Sequence, residues 1–333
     1  MKDNKGFSSI EFLVTLLFLS MIIIAFGIII RTSDFTVKKK TADLYDREYI
    51  DKLLVKIYEE IKNDKTPYSD SKYDSVWKYD NTMMEGFKIS IKSLSGLINL
   101  NFITKDLISK TELNSLFLYD NAMENIYDLI TDKGLLYSYE EINQYIEKDK
   151  YDNYFTLYGF SNFNISNNES IKKLTNNLTN SSFGDDLINK RNILIRNKQL
   201  IQNETELNLL CGIHYDEIFP FININPPLNI NFMDENLIRI ILSFQDFKLP
   251  GAQQKANSII ELRDSKEITQ EELVSILGIT KGDELYYYIG CKTWVWQILI
   301  EGDSSSCNVI LIRDPEDTIL GEPKLYVIEK QWL

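Results

Sequence analysis

From Leu13 to Ile30 the chain is apolar except for Thr15, Ser20 and Gly27, and one carboxylate, Glu11, stands just ahead of that run. No other feature constrains the fold as much. Counted from Phe7, the stretch reaches the roughly 20 residues that a bilayer-spanning helix needs. A carboxylate in such a segment costs roughly 2.5–3.5 kcal/mol on insertion scales, so Glu11 is expected to have a partner. A secretory signal peptide would carry a shorter apolar core, about 7–15 residues, and end in a small-residue cleavage site. Here the run ends in Ile28-Ile29-Ile30-Arg31. An ordinary signal anchor explains the length but not Glu11. Lys2 and Lys5 precede the run, and Arg31 and Lys38-Lys39-Lys40 follow it, so charge bias leaves the orientation open.

The helical pattern continues over Thr36 to Asn63, where Leu44, Ile50, Leu53, Leu54, Ile57 and Ile61 recur at three- and four-residue steps among charged residues. Pro67 supplies a stop. Phe7 to about Asn63 therefore reads as one long helix, apolar all round first and amphipathic second, with the second half packing on a sheet. Strand alternation follows in Gly86–Leu94 and Leu97–Ile103, and returns in Tyr286–Ile289, Thr293–Ile300, Asn308–Arg313 and Leu325–Lys330. Between these, residues 104–282 are largely helical, with an irregular interval over 151–199. The expected organisation is a leader over 1–6, a transmembrane helix over 7–30 and an amphipathic continuation over 31–64. A β domain from 65–103 and 283–333 would then carry an inserted helical domain of two subunits. The fold class is α+β.

The net charge of −13 disfavours nucleic acid, because phosphate binding needs clustered Lys and Arg. The segment Glu272–Asp283, with Leu277-Gly278-Ile279-Thr280, resembles a helix-hairpin-helix, but its neighbours are acidic. His214 is the one histidine, and no nucleophile elbow, phosphate loop or metal motif accompanies it. An enzyme is not expected. Three cysteines, Cys211, Cys291 and Cys307, are too few for a disulfide scaffold. Two of them pairing is open, with Cys291 and Cys307, flanking one expected hairpin, the better placed.

The leader Lys5-Gly6-Phe7-Ser8-Ser9-Ile10-Glu11 resembles the N-terminal signal of type IV pilins and type II secretion pseudopilins. That resemblance implies cleavage between Gly6 and Phe7 by a prepilin peptidase, methylation of the new amine of Phe7, and pairing of Glu11 with a neighbouring subunit's terminal amine during assembly. Further along, Leu97-Ile98-Asn99-Leu100-Asn101-Phe102 and Ile222-Asn223-Ile224-Asn225-Pro226-Pro227 share an Ile-Asn-aliphatic-Asn pattern. With Glu206-Leu207 to Gly212 ahead of the second, and Ala256–Asp264 and Ile268–Leu273 after it, the series is similar to the K-type minor pseudopilin (general secretion pathway protein K) family.

This resemblance implies a pilin-like fold with a bulky helical insertion. It implies a single-pass inner-membrane protein with its bulk in the periplasm, at the tip of a short pseudopilus. The implied partners are the I- and J-type minor pseudopilins, the major pseudopilin and the prepilin peptidase, and the implied role is support of assembly and export. Glu11 departs from the K-type pattern, which typically lacks a glutamate there. No cofactor is expected. The family's calcium-associated acidic segment has only Asp128-Leu129-Ile130-Thr131-Asp132 as a counterpart, and no ligand set follows from it. The alternative is a minor pilin or tip adhesin of a type IV pilus, which shares the N-terminal features.

Overall fold

In the computed structural model, which describes residues 5–64, 66, 69–315 and 324–333, the chain begins as one helix, α1 (Lys5–Lys62). Ile50, Leu53, Ile57 and Ile61 are all buried on one face of it. Their three- and four-residue spacing makes that face continuous. Leu44, grouped with them by spacing, is 66% exposed and points elsewhere. Pro67, the expected stop, lies outside the described residues, as do the first four residues of the leader expected over 1–6.

Among the described residues, no helix is long and apolar enough to cross a membrane. A span requires about 20 consecutive apolar residues. The expected single-pass placement in the inner membrane, with the transmembrane segment over 7–30, is overturned by this finding.

After α1, strands β1 (Thr82–Met84) and β2 (Phe87–Ser93) form a hairpin. The chain then leaves the sheet and runs through three successive units built on one plan. The first holds β3 (Ile98–Asn99), α2 (Lys105–Ser109), α3 (Ala122–Lys133), α4 (Lys148–Tyr154) and β4 (Phe155–Thr156). The second holds β5 (Ser161–Asn162), α5 (Asn168–Thr179), α6 (Phe183–Arg196), α7 (Glu204–Cys211), α8 (Tyr215–Ile218) and β6 (Ile222–Asn223). The third holds β7 (Leu228–Asn229), α9 (Glu235–Leu242), α10 (Ala252–Ser265), α11 (Gln270–Leu277) and β8 (Ile289–Gly290). In each unit the entry strand pairs in parallel with the exit strand. Four-residue joints, 94–97, 157–160, 224–227 and 291–294, separate the units from each other and from the sheet. The chain then returns as β9 (Val295–Glu301), β10 (Ser306–Arg313) and β11 (Leu325–Trp332), completing an antiparallel sheet of order β1-β2-β9-β10-β11.

The plan is set by asparagines. In each entry segment one asparagine oxygen accepts the N–H of another two residues on: Asn99 from Asn101 at 3.0 Å, Asn162 from Asn164 at 2.9 Å, Asn229 from Asn231 at 3.0 Å. The second asparagine then clasps a distant backbone with both ends of its amide. Asn101 holds the N–H and C=O of Leu136, Asn164 those of Ile201, and Asn231 those of Ile268. The separations are 35, 37 and 37 residues. All three amides are buried. Just after each clasped residue a helical turn starts under a side-chain cap: Ser138 with Glu141, Asn203 with Glu206, Thr269 with Glu272. A cap and a clasp together satisfy backbone groups that a tight turn would otherwise orphan.

Two expectations change here. The interval 151–199 is not irregular: it closes the first unit and carries α5 and α6. Its many asparagines and serines are caps, clasps and turns, which hide the helical period. The helical block also has three units, not two, and Ile222-Asn223 is the exit of the second unit, while the sequence that matches Ile98–Asn101 in place is Leu228–Asn231.

The sheet has two covered faces. Toward α1, Ile89, Ile91, Trp296, Ile298 and Val309 pack against the buried helix face. Each such side chain contributes about 1.5–3 kcal/mol. Asp46 adds a polar tie by accepting the Ser304 N–H at 2.8 Å, at the β9–β10 turn. On the other face, Ile310 and Val295 pack with joint residues Leu94, Leu97, Phe160 and Trp294. The Trp294 indole donates to the Pro226 carbonyl at 3.0 Å, so all four joints meet at one place.

Asn231→Ala should leave the Ile268 N–H and C=O without their clasp. At about 1–3 kcal/mol for each buried group orphaned, the loss is expected to be roughly 2–6 kcal/mol, read as a fall in the urea midpoint. Asn231→Asp, which keeps an acceptor for the Ile268 N–H, should recover part of it.

Candidate interaction surface

A helix locked to a sheet by one face shows the solvent its other face. On α1 that face carries exposed aliphatic side chains set among charged ones, with Glu48 and Asp51 between Leu44 and Val55. Val37, Leu44 and Val55 recur at seven- and eleven-residue steps and are 59%, 66% and 62% exposed. Those steps return to nearly one azimuth of a 3.6-residue helix. Val55 also borders a groove of about 370 Å³ between α1 and the end of the sheet. Leu54 and Tyr58 line it from the helix, and Val309, Leu311 and Val327 from the strands. Asp51 and Lys330 pair across it at 2.5 Å. Apolar surface exposed in a groove of this kind marks contact sites on folded proteins.

The neighbouring edge strand offers less. Tyr326, Val327 and Ile328 are about half exposed, but the β10–β11 register jumps between Ile310 and Leu311. Ile328 is thereby a bulge. A bulge and a lysine on an edge both oppose the addition of another strand. What this side of the molecule presents is side-chain packing along α1.

Behind it lies the one acidic group among the described residues with metal-like spacing. Oxygens of Asp64, Asp70 and Asp74 lie within 4.8 Å of one another. The protein supplies the counter-charge itself. The buried Arg313 guanidinium donates to both oxygens of Asp70 at 3.2 Å and lies 3.8 Å from Asp64. The Thr293 N–H adds a third bond to Asp70 at 2.7 Å. Calcium takes six to eight oxygen ligands, and a guanidinium on the central carboxylate does not fit that set. Burial raises the Asp70 carboxyl above its usual range, against the pull of Arg313. Asp74 is pushed up to about 6, chiefly by burial, with Asp64 and Glu267 adding to it.

The residues singled out in the sequence fall as follows. Gly6, Phe7 and Glu11 belong to α1, and their side chains lie outside the described ones. Asp128 and Asp132 are exposed on α3 and gather no further ligand among the described residues. His214 pairs with Glu217 at 3.1 Å and lies against Phe183. Gly278 ends α11 with φ +60°, a left-handed cap that glycine adopts without strain. All three cysteines are free and buried. Cys291 and Cys307 do not pair because Cys307 faces Ile300 in the register, near the far end of β9. The strand from Val295 to Ile300 alone puts about 17 Å between the two ends. The seven- and eleven-residue spacing of Val37, Leu44 and Val55 was available in the sequence. Nothing local signals Asp70 with Arg313.

No family model matches the chain, and no curated protein matches it. Among solved structures, the chain is similar to a chain of the GspK-GspI-GspJ complex of the enterotoxigenic Escherichia coli type 2 secretion system. The identity is 12%, the TM-score is 0.39, and the match covers 90% of this chain and 99% of that one.

The raised carboxyl of Asp74 sets a pH dependence. Its folded value lies above the unfolded 3.8, so the folded state holds the proton more tightly. That contribution is fully present below about pH 4 and is lost as pH rises through about 6. Asp74→Asn should flatten the fall in thermal stability across that window, measured in matched buffers from pH 4 to 7.

Proposed function

We propose that this chain is a non-enzymatic minor pseudopilin of a type II secretion system, with a pilin-like helix-on-sheet body. It joins the other minor pseudopilins, of I and J type, and the major pseudopilin. It thereby supports pseudopilus assembly and protein export across the outer membrane. The observation that carries this reading is the apolar groove beside Val55, with Leu44 exposed near it, on a helix whose opposite side is clamped to the sheet from Ile50 to Ile61. A subunit that packs helix against helix in a filament needs that division of faces. The sequence resemblance of the Lys5–Glu11 leader and of the Asn-x-Asn segments supports the same reading. The joints that carry the three helical units pack on the face of the sheet away from α1.

In this reading Gly6–Phe7 is the peptidase cleavage site, Phe7 carries the methylated amine, and Glu11 pairs with a neighbour's amine. N-terminal sequencing of the protein from a strain with active prepilin peptidase should begin at methylated Phe7. Glu11→Ala should leave that processing intact while impairing recruitment into the filament. An intact Met1 start would overturn the cleavage reading.

The assembly surface has its own test. The full chain should co-purify with I- and J-type minor pseudopilins. The double variant Leu44→Glu/Val55→Glu should weaken that complex tenfold or more with an unchanged unfolding transition, since both side chains are already solvent-facing. A protein that stays monomeric in the mixture, and binds a surface ligand specifically, would favour the adhesin of a type IV pilus instead.

A further inference from the structure

The face of the sheet away from α1 is only partly covered by the joints. Toward β11 it opens into a polar cleft of about 330 Å³, walled on the other side by the first helical unit. That volume is in the range of small-molecule sites, which start at about 300 Å³. Its floor is a row of uncharged amides from three strands: Gln297, Asn308 and Gln331. Its rim carries Tyr137, 71% exposed. The three amides face one cavity side by side, each a donor and an acceptor.

The charged groups of the cleft are already engaged. Lys148 pairs with Asp152 at 2.9 Å and lies over the Tyr139 and Tyr151 rings. Lys92 donates to the Asp152 carbonyl. Glu329 accepts from the Tyr158 hydroxyl at 2.6 Å, and Glu140 accepts from Ser138. Both signs of charge line the cleft close together, so neither sign dominates it, and Glu140 and Glu329 keep acceptor sites that hydroxyl donors can use. The amides add neutral groups with capacity left over. The Gln297 amide nitrogen donates to Asn308 at 3.0 Å, which leaves the Gln297 carbonyl oxygen and the Asn308 nitrogen. The Gln331 amide and the Tyr137 hydroxyl make no side-chain hydrogen bond to another described residue. Amides pair a donor with an acceptor at fixed spacing, which is what adjacent hydroxyls require. An exposed aromatic ring supplies a flat apolar face beside a polar handle.

We infer that this cleft, floored by Gln297, Asn308 and Gln331 and rimmed by Tyr137, binds a neutral oligosaccharide. The amides take the hydroxyls and the Tyr137 ring lies against the apolar face of a sugar. This site is separate from the α1 surface, and the two stand or fall independently.

The test is titration of the full chain with chitotriose, maltotriose and cellotriose, followed by saturation-transfer NMR. At least one should bind saturably. Tyr137→Ala and Gln331→Ala, both at solvent-facing positions, should each weaken it tenfold or more without moving the unfolding transition. Inorganic phosphate in excess should not compete. Absence of binding by all three sugars, binding indifferent to both variants, or displacement by phosphate would each overturn the inference.

Discussion

Asp70 holds together three parts of the chain that are far apart in sequence. Its carboxylate takes both terminal nitrogens of Arg313, at the end of β10, and the N–H of Thr293, just before β9. Its own N–H donates to the Cys291 carbonyl, and its carbonyl accepts from Asn229 and Asn231 at the entry to the third unit. The segment leaving α1, the returning strands and the last helical unit are therefore positioned by one residue. A buried ion pair is costly to form and costlier to break from one side. Here the remaining hydrogen-bond capacity of the carboxylate is met by backbone, and the Arg313 plane lies over Trp296 at 4.9 Å. Removing either charge would strand the other in the interior.

The surface proposed for assembly depends on this anchoring. The open side of α1 is defined only because its opposite side cannot move on the sheet. Four buried aliphatic side chains, the Asp46 tie to Ser304 and the Tyr58 hydroxyl on the Leu325 carbonyl hold it there. A partner that packs beside Val55 therefore meets a part of the helix already held on the sheet, and association there costs little ordering. The polar cleft faces the other way, toward the first helical unit. One sheet so separates a surface suited to apolar packing from one suited to polar ligands.

Much of this was legible in the sequence, and the rest was hidden for identifiable reasons. Alternation in Phe87–Ser93 and the three- and four-residue steps from Ile50 to Ile61 gave the sheet and the helix that covers it, because burial on one face imposes a period. The mixed helix-and-sheet class followed from the order of those periods. The second unit was misread because its helices are rich in Asn, Ser and Thr, whose roles as caps and clasps leave few apolar positions to count. Of the two Asn-x-Asn segments singled out in the sequence only Asn99–Asn101 is a clasp, and the threefold repeat stays hidden because the clasp partners, Leu136, Ile201 and Ile268, carry no distinguishing residue type, since it is their backbone that is held. Leu44 lies off the buried face because its six-residue offset from Ile50 turns it about 120° round the helix.

The three parallel ladders have a consequence for how the chain finds its fold. Strands β2 and β9 are neighbours in the sheet, yet 201 residues separate Ser93 from Val295. Closing a flexible loop of that length is entropically expensive and slow. Each unit, however, brings its own entry and exit side by side, so once the units have formed, only the sixteen joint residues separate the two strands along the effective path. Loop-closure entropy varies as about (3/2)RT ln n, so this shortcut lowers the cost of pairing β2 with β9 by about 2 kcal/mol. The units are successive closures whose contacts then interlock, since the first and third share one hydrophobic core and the Ser170 hydroxyl of the second donates to the Asn101 carbonyl of the first.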